Sequence, residues 1–242
     1  PLILIPNGSI EVHVVEQFTS AGPQPSGTWS GGGRSLRVRG PRLYLQVSAE
    51  AVDDFGRRGN PHLRPPTSAT DDSLLLDDLA PGTYWLRLYS SRGYVAAANM
   101  GGLDLLHSPF TVTPGMSTPI EISMRDDSAQ LDGAVAGMAA ASPVTSSGFS
   151  SRFSTVQAWV YCIPLPDSSG QFQQIGVFPD GKFGAETMSP GTYRVLAVRS
   201  QQPNLPYRDA EEMRAYENSG QIVHLAAGQK MNVQLQLTLN AK

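Results

Sequence analysis

The chain has 242 residues, 40% of them hydrophobic and only 16% charged, with 24 glycines and 19 prolines. That length suffices for one large domain or two of about 120 residues, each with its own core, and recurring apolar periodicity excludes a disordered chain. The net charge of −3 is spread over both halves (10 Lys+Arg against 11 Asp+Glu in residues 1–125, 8 against 10 thereafter), so no basic stripe of the phosphate-tracking kind exists.

The opening PLILIP is too short for a signal-peptide core, and no apolar run approaches the ~20 residues of a membrane helix. Leu2, Ile3, Leu4 and Ile5 read as the last strand of a preceding copy, or as an arm that donates a strand to a neighbour. A start at Pro1 rather than Met suggests a processed, trimmed or partial chain. The first strand is SIEVHVV, in which Ile10, Val12 and Val14 alternate with polar residues. Residues 18–41 read as a Gly/Ser/Pro-rich loop, with a flexible run at Gly31–Gly33 and a solvated basic cluster, RSLRVRGPR. RLYLQV (Leu43, Leu45, Val47) is the next strand, followed by a second long loop over 57–72, where NPHLRPP is too proline-rich for regular structure.

SLLLDDL then leads into PGTYWLRLY, a strand with Tyr84, Leu86 and Leu88 on one face. SRGYVAAAN and FTVTPGMSTPIEISM follow, the latter ending in the alternation of Ile120, Ile122 and Met124. From residue 129 the same order recurs. An opening strand (129–137) and a loop (138–154) precede an apolar strand (156–163) holding Cys162, the one cysteine, which reads as a small buried hydrophobe. DGKFGAETM leads into PGTYRVLAV, and QIVHLAAGQKMNVQLQLTL closes the chain on the alternation of Val233, Leu235, Leu237 and Leu239. DAEEMRAYEN, 209–218, reads as an inserted helix capped by Asp209, with Glu212 three residues on, docked through Met213 and Tyr216.

The repeated tetrapeptide organises this pattern. In each PGTY the proline (Pro81, Pro190) fixes φ for a tight turn and the glycine (Gly82, Gly191) supplies positive φ. The tyrosine (Tyr84, Tyr193) then starts a strand, with its hydroxyl expected to reach backbone across the end of the fold. Two units of about 115 residues are predicted, with the boundary at RDDS, Arg125–Ser128; so short a linker predicts a nearly fixed, rod-like relation.

Asp180, Gly181, Phe183, Pro190, Gly191 and Tyr193 resemble the DGxF…PGxY signature of the carboxypeptidase regulatory-like domain, a prealbumin-like (transthyretin-like, Cna-B-type) sandwich of secreted bacterial proteins. Pro81, Gly82, Tyr84, Gly93 and Tyr94 match in the first unit, where Asp71, Asp72 and Leu74 stand in place of DGxF. The resemblance implies an all-β fold of two tandem seven-stranded prealbumin-like, Ig-like β-sandwiches, 8–125 and 126–242, with one short helix inserted in the second and an arm at 1–7. It also implies accessory or stacking modules without catalytic machinery, exported to the extracellular space, the cell surface or the periplasm.

The residues carry little chemistry of their own. His13, His62, His107 and His224 are isolated, with no metal-ligand spacing, and no nucleophile elbow or phosphate loop is present. The pairs Asp53-Asp54, Asp71-Asp72, Asp77-Asp78 and Asp126-Asp127 lack EF-hand spacing, leaving calcium as the one cofactor to test. Lys182, Lys230 and Lys242 miss the opening strand that an isopeptide lock would use. Among the aromatics Trp29, Tyr44, Trp85, Tyr89, Trp159 and Tyr161, the four Trp85, Tyr89, Trp159 and Tyr161 are a candidate sugar-stacking platform, the competing readings being cross-strand pairs or cover for an interdomain contact. Three functions stand: a non-enzymatic structural module assembling with itself or with neighbouring domains by strand addition; a carbohydrate-binding module; and an accessory region of a larger secreted enzyme or outer-membrane receptor. No nucleic acid, membrane span or catalytic residue enters any of them.

Overall fold

The computed structural model describes residues 7–19, 25–31, 33–52, 61–138, 156–166, 168, 170–202 and 205–238. They are nearly all β, with 3-10 turns at Gly40–Leu43 and Glu212–Tyr216 as the helical elements. The chain divides into two compact units, Pro1–Asp127 and Ser128–Lys242.

The strands of the first unit are β1 (Gly8–Gln17), β2 (Ser26–Gly31), β3 (Arg34–Arg39), β4 (Leu45–Ala51), β5 (Leu75–Leu79), β6 (Gly82–Ser90), β7 (Tyr94–Met100), β8 (Leu103–Asp104), β9 (Phe110–Val112) and β10 (Ile120–Arg125). One sheet runs β5-β1-β10-β7-β8, with β1 parallel to β10 from Val12–Ile120 to Gln17–Arg125. A second runs β4-β6-β9. Because side chains alternate across a strand, each sheet turns an apolar face inward. Ile10, Val12, Leu76, Ile120, Ile122 and Met124 of the first sheet share a core with Val47, Ala49, Tyr84, Leu86 and Phe110 of the second.

Three local expectations for this unit are corrected. Residues 18–41 hold a β-hairpin, β2 against β3, with Trp29 opposite Leu36 and Thr28 opposite Arg37. Gly33, with φ +74°, immediately precedes β3. RLYLQV becomes a strand only from Leu45, since Pro41 opens a 3-10 turn that takes in Leu43. NPHLRPP is also not wholly irregular, because His62 bridges to Ser48 and Leu63 to Leu76, joining the edges of the two sheets. Proline lacks only the donor, and Pro61 still accepts from the Ala49 N–H at 2.9 Å.

The second unit contains β11 (Ala129–Ala136), β12 (Ala158–Pro164), β13 (Gln173–Val177), β14 (Lys182–Met188), β15 (Gly191–Val198), β16 (Gln221–Leu225) and β17 (Lys230–Thr238) in one sheet, β13-β12-β15-β17-β11-β14, with β16 on β15. β11 is parallel to β17 over seven residue pairs and antiparallel to β14, as β1 is to β10 and β5. β15 serves both halves of the sheet. Gly191–Val195 pair with β16, and then Ala197 and Val198 pair with β17. Gly133 in β11 admits the Phe183 ring, since a Cβ there would lie 2.6 Å from its Cζ.

Strands β12 and β15 are buried on both faces, which explains their unbroken apolar runs. Val160, Cys162, Val195 and Ala197 face the core shared with β11 and β17. On the other side, Tyr161, Ile163, Leu196 and Val198 meet Leu205 and Tyr216. The inserted α-helix expected at 209–218 is therefore absent. The segment makes a five-residue 3-10 turn, Glu212–Tyr216. Asp209 Oδ1 accepts the Glu211 and Glu212 N–H groups, but one short turn cannot repay α-helix nucleation. Three residues per turn puts Met213 and Tyr216 on the same side, and that docking decides the geometry.

Candidate functional site

Each PGTY turn launches a core strand. Gly82 and Gly191 have φ of +151° and +154° and open β6 and β15. Tyr84 and Tyr193 are buried, 2% and 0% exposed. Each hydroxyl donates to the carbonyl four residues upstream, Tyr84 to Ala80 at 2.8 Å and Tyr193 to Ser189 at 2.6 Å. The contact is thus local, tying the tyrosine to the residue just before Pro81 or Pro190. Replacing either tyrosine by phenylalanine should cost about 1–2 kcal/mol, the loss of one hydrogen bond to a buried carbonyl, read from denaturant unfolding.

The second turn is overlaid by another segment. The Ser168 hydroxyl accepts the Gly170 and Thr192 N–H groups at 3.1 and 2.9 Å, and the Leu165 N–H donates to the Thr192 carbonyl at 3.0 Å. Asp180 and Gly181 make the β13–β14 turn, Asp180 Oδ1 accepting the Lys182 N–H at 3.1 Å, and Phe183 is buried behind it.

The described acidic pairs stand apart, Asp71-Asp72 in the connection before β5, Asp77-Asp78 on β5 and Asp126-Asp127 between β10 and β11. Asp71 accepts from Ser73 and Thr67, whose hydroxyls and amides hold its carboxyl well below the usual range. Asp77 accepts from Ser9 at 2.7 Å, Asp78 from Asn7 at 2.5 Å, and Asp126 from the Thr19 N–H at 2.9 Å. Asp127 is held low first by Arg125, with the Tyr94 hydroxyl 3.1 Å away; burial and that carboxylate push Tyr94 up to about 12. Among the described residues, no three His, Cys, Asp or Glu side chains converge as cation ligands. Asp53 and Asp54, like the arm Leu2–Ile5, lie outside those residues.

The four candidate platform aromatics lie on two strands, Trp85 and Tyr89 on β6 of the first unit and Trp159 and Tyr161 on β12 of the second. On β6, Trp85 is half-buried and Tyr89 is 61% exposed, facing outward with Arg87, which pairs with Glu50 at 2.7 Å. Tyr161 on β12 is 1% exposed, and half-buried Trp159 packs into the same cluster. Tyr161, Phe172 and Tyr207 form a stack with centroids 5.8 and 4.0 Å apart, capped by the Arg208 guanidinium 4.9 Å from the Tyr207 centroid. That stack holds the covering segment down. Burial also pushes the Cys162 thiol up to about 12, leaving it protonated at neutral pH.

The β2–β3 ribbon is the feature that a loop reading missed. Arg37 and Arg39 share its outward face with Ser26 and Thr28 across the ladder, while Val38, 2% exposed, anchors the opposite face. The available signal was charge. No Asp or Glu occurs from Gln17 to Ala49, a stretch with four arginines, and SLRVR alternates with period two.

No family model matches the chain, and no curated protein matches it. Among solved structures, similarity extends to the Bacillus anthracis TIE protein (11% identity, 95% of this chain and 34% of that one, TM-score 0.25). It extends also to GBS52, the minor pilin of Streptococcus agalactiae (9% identity, 97% and 98% coverage, TM-score 0.32). A third is a leucine-rich repeat protein from Bacteroides thetaiotaomicron (12% identity, 96% and 27% coverage, TM-score 0.25). This chain spans about a third of the TIE protein's length.

Proposed function

We propose that the chain is a non-enzymatic structural or interaction module of an exported bacterial protein, two tandem prealbumin-like β-sandwiches that join an extracellular, cell-surface or periplasmic assembly. The observation that carries this reading is the β2–β3 ribbon. It stands outside both sheets of its unit, and among the described residues neither outer edge pairs with another strand. Open N–H and C=O groups along an edge are a template for a strand from another chain. The matching connectivity of the two units supports the resemblance to carboxypeptidase regulatory-like domains. Leu2–Ile5 is the donor strand in this scheme.

Removing Pro1–Ile5 and following self-association by light scattering tests it directly. Loss of assembly with an unchanged circular dichroism spectrum is expected; unchanged assembly sinks the donor strand. The reading needs no metal, so the melting temperature in chelator should equal that in millimolar calcium, and a rise with calcium overturns that part.

A glycan-binding reading rests on one observation, the outward pair Trp85 and Tyr89 on β6. With Tyr161 buried, the platform shrinks to that pair. A glycan array binding the chain but not Tyr89→Ala would favour it over the assembly reading.

A further inference from the structure

Most arginines of the described structure are engaged. Arg87 pairs with Glu50, Arg125 with Asp127 and Arg214 with Glu211; Arg42 and Arg194 donate to backbone carbonyls, and Arg92 lies 4.7 Å from the Phe18 ring centroid. Arg34, Arg37 and Arg39 stand together on β3, each exposed and in no ion pair with a described residue, as is Arg199 just past β15. Arg37 and Arg39, two residues apart on a strand, project from one face about 7 Å apart. Their cross-strand neighbours Thr28 and Ser26 bring hydroxyls but no charge. Guanidinium groups so placed are suited to carboxylates, which they bind in bidentate fashion.

The complementary surface lies in the second unit. Residues 209–217 expose Asp209, Glu211, Glu212 and Glu217; the cations beside these four acids are Arg214, the preceding Arg208 and the half-buried Arg194. Glu212 and Glu217 form no ion pair with a described residue. The segment is fixed on its unit by Tyr216, 8% exposed, and by the Arg194 guanidinium, which donates to the Tyr216 and Glu217 carbonyls. Two surfaces of opposite charge are therefore present on one chain.

We infer that the Arg37–Arg39 face of the β2–β3 ribbon docks onto the acidic 209–217 segment of another copy of this chain. This rests on the assembly reading above and names its contact. Because the two surfaces differ, the contact is head-to-tail, and each copy keeps one surface available for the next. Opposed charges steer the encounter and set its register, so the association must weaken with salt.

The test uses sedimentation velocity of the full chain, at low salt and at about 0.5 M salt, where the screening length is roughly 4 Å. Arg37→Glu with Arg39→Glu, and separately Glu211→Arg with Glu212→Arg, should each weaken association by about tenfold or more at low salt. All four positions are exposed, so both variants should keep the wild-type melting temperature. Mixing the two variants should restore association, since each then meets its complement. Association within about twofold of wild type in both variants, or indifferent to salt, overturns the docking but leaves assembly by another surface standing. A wild-type chain monomeric at about millimolar concentration, the range of weak contacts, overturns both.

Discussion

Gly191→Ala should lower the stability of the second unit by about 3–5 kcal/mol, a drop in its melting temperature of roughly 12–20 °C. At φ +154° an L-residue is strained, and a Cβ at Gly191 would overlap the Ser168 hydroxyl. That hydroxyl has nowhere to retreat, being 4% exposed and accepting the Gly170 and Thr192 N–H groups. The substitution therefore combines backbone strain with two abandoned donors. Gly228→Ala is the control: φ is +68° and a Cβ would meet nothing within 4 Å, so about 1 kcal/mol is expected. Equal losses at the two positions would falsify the account, because strain alone would then explain both.

Tyr216→Ala should cost about 3–4 kcal/mol and raise binding of an environment-sensitive hydrophobic dye. Tyr216 is 8% exposed over a face otherwise made of Tyr161, Ile163, Leu196 and Val198. Truncating it removes a buried ring and loosens the carbonyls held by Arg194. Tyr89→Ala on the outward face of β6, where the ring is 61% exposed, should stay within about 0.5 kcal/mol. A dye response from Tyr89→Ala but not from Tyr216→Ala would mean that the covered face lies elsewhere.

The contrast between those tyrosines marks what was legible in the sequence. Alternation identifies a strand with one wet face, so Ile10, Val12, Ile120, Ile122, Val233 and Leu235 could be assigned to a core. Unbroken runs such as WVYCIP identify burial but not what covers the second face; the cover, Leu205 and Tyr216, comes from a segment whose own pattern resembled a helix. The capping role of Asp209 was readable from its position, whereas the 3-10 outcome depended on docking. The β2–β3 ribbon was obscured because Ser, Gly and Thr contribute little apolar signal, leaving Trp29, Leu36 and Val38 to define its inward face. Ser168 had no local signal at all, since its role exists only once β15 places Gly191 beneath it. The repeated PGTY, by comparison, encodes a contact within five residues, and a contact so short leaves its whole pattern in the chain.

The parallel pairing of the outer strands bears on force. In each unit the strand near its start lies parallel to the strand near its end, β1 with β10 and β11 with β17. Tension applied through those two strands pulls them in opposite directions along their shared ladder. Its hydrogen bonds are then loaded together in shear instead of being peeled one at a time. For the second unit that ladder runs without a register break from Gln130–Lys230 to Ala136–Gln236. The first and last strands of each unit thus form a clamp across its ends, and a chain held under load in an assembly would bear it there.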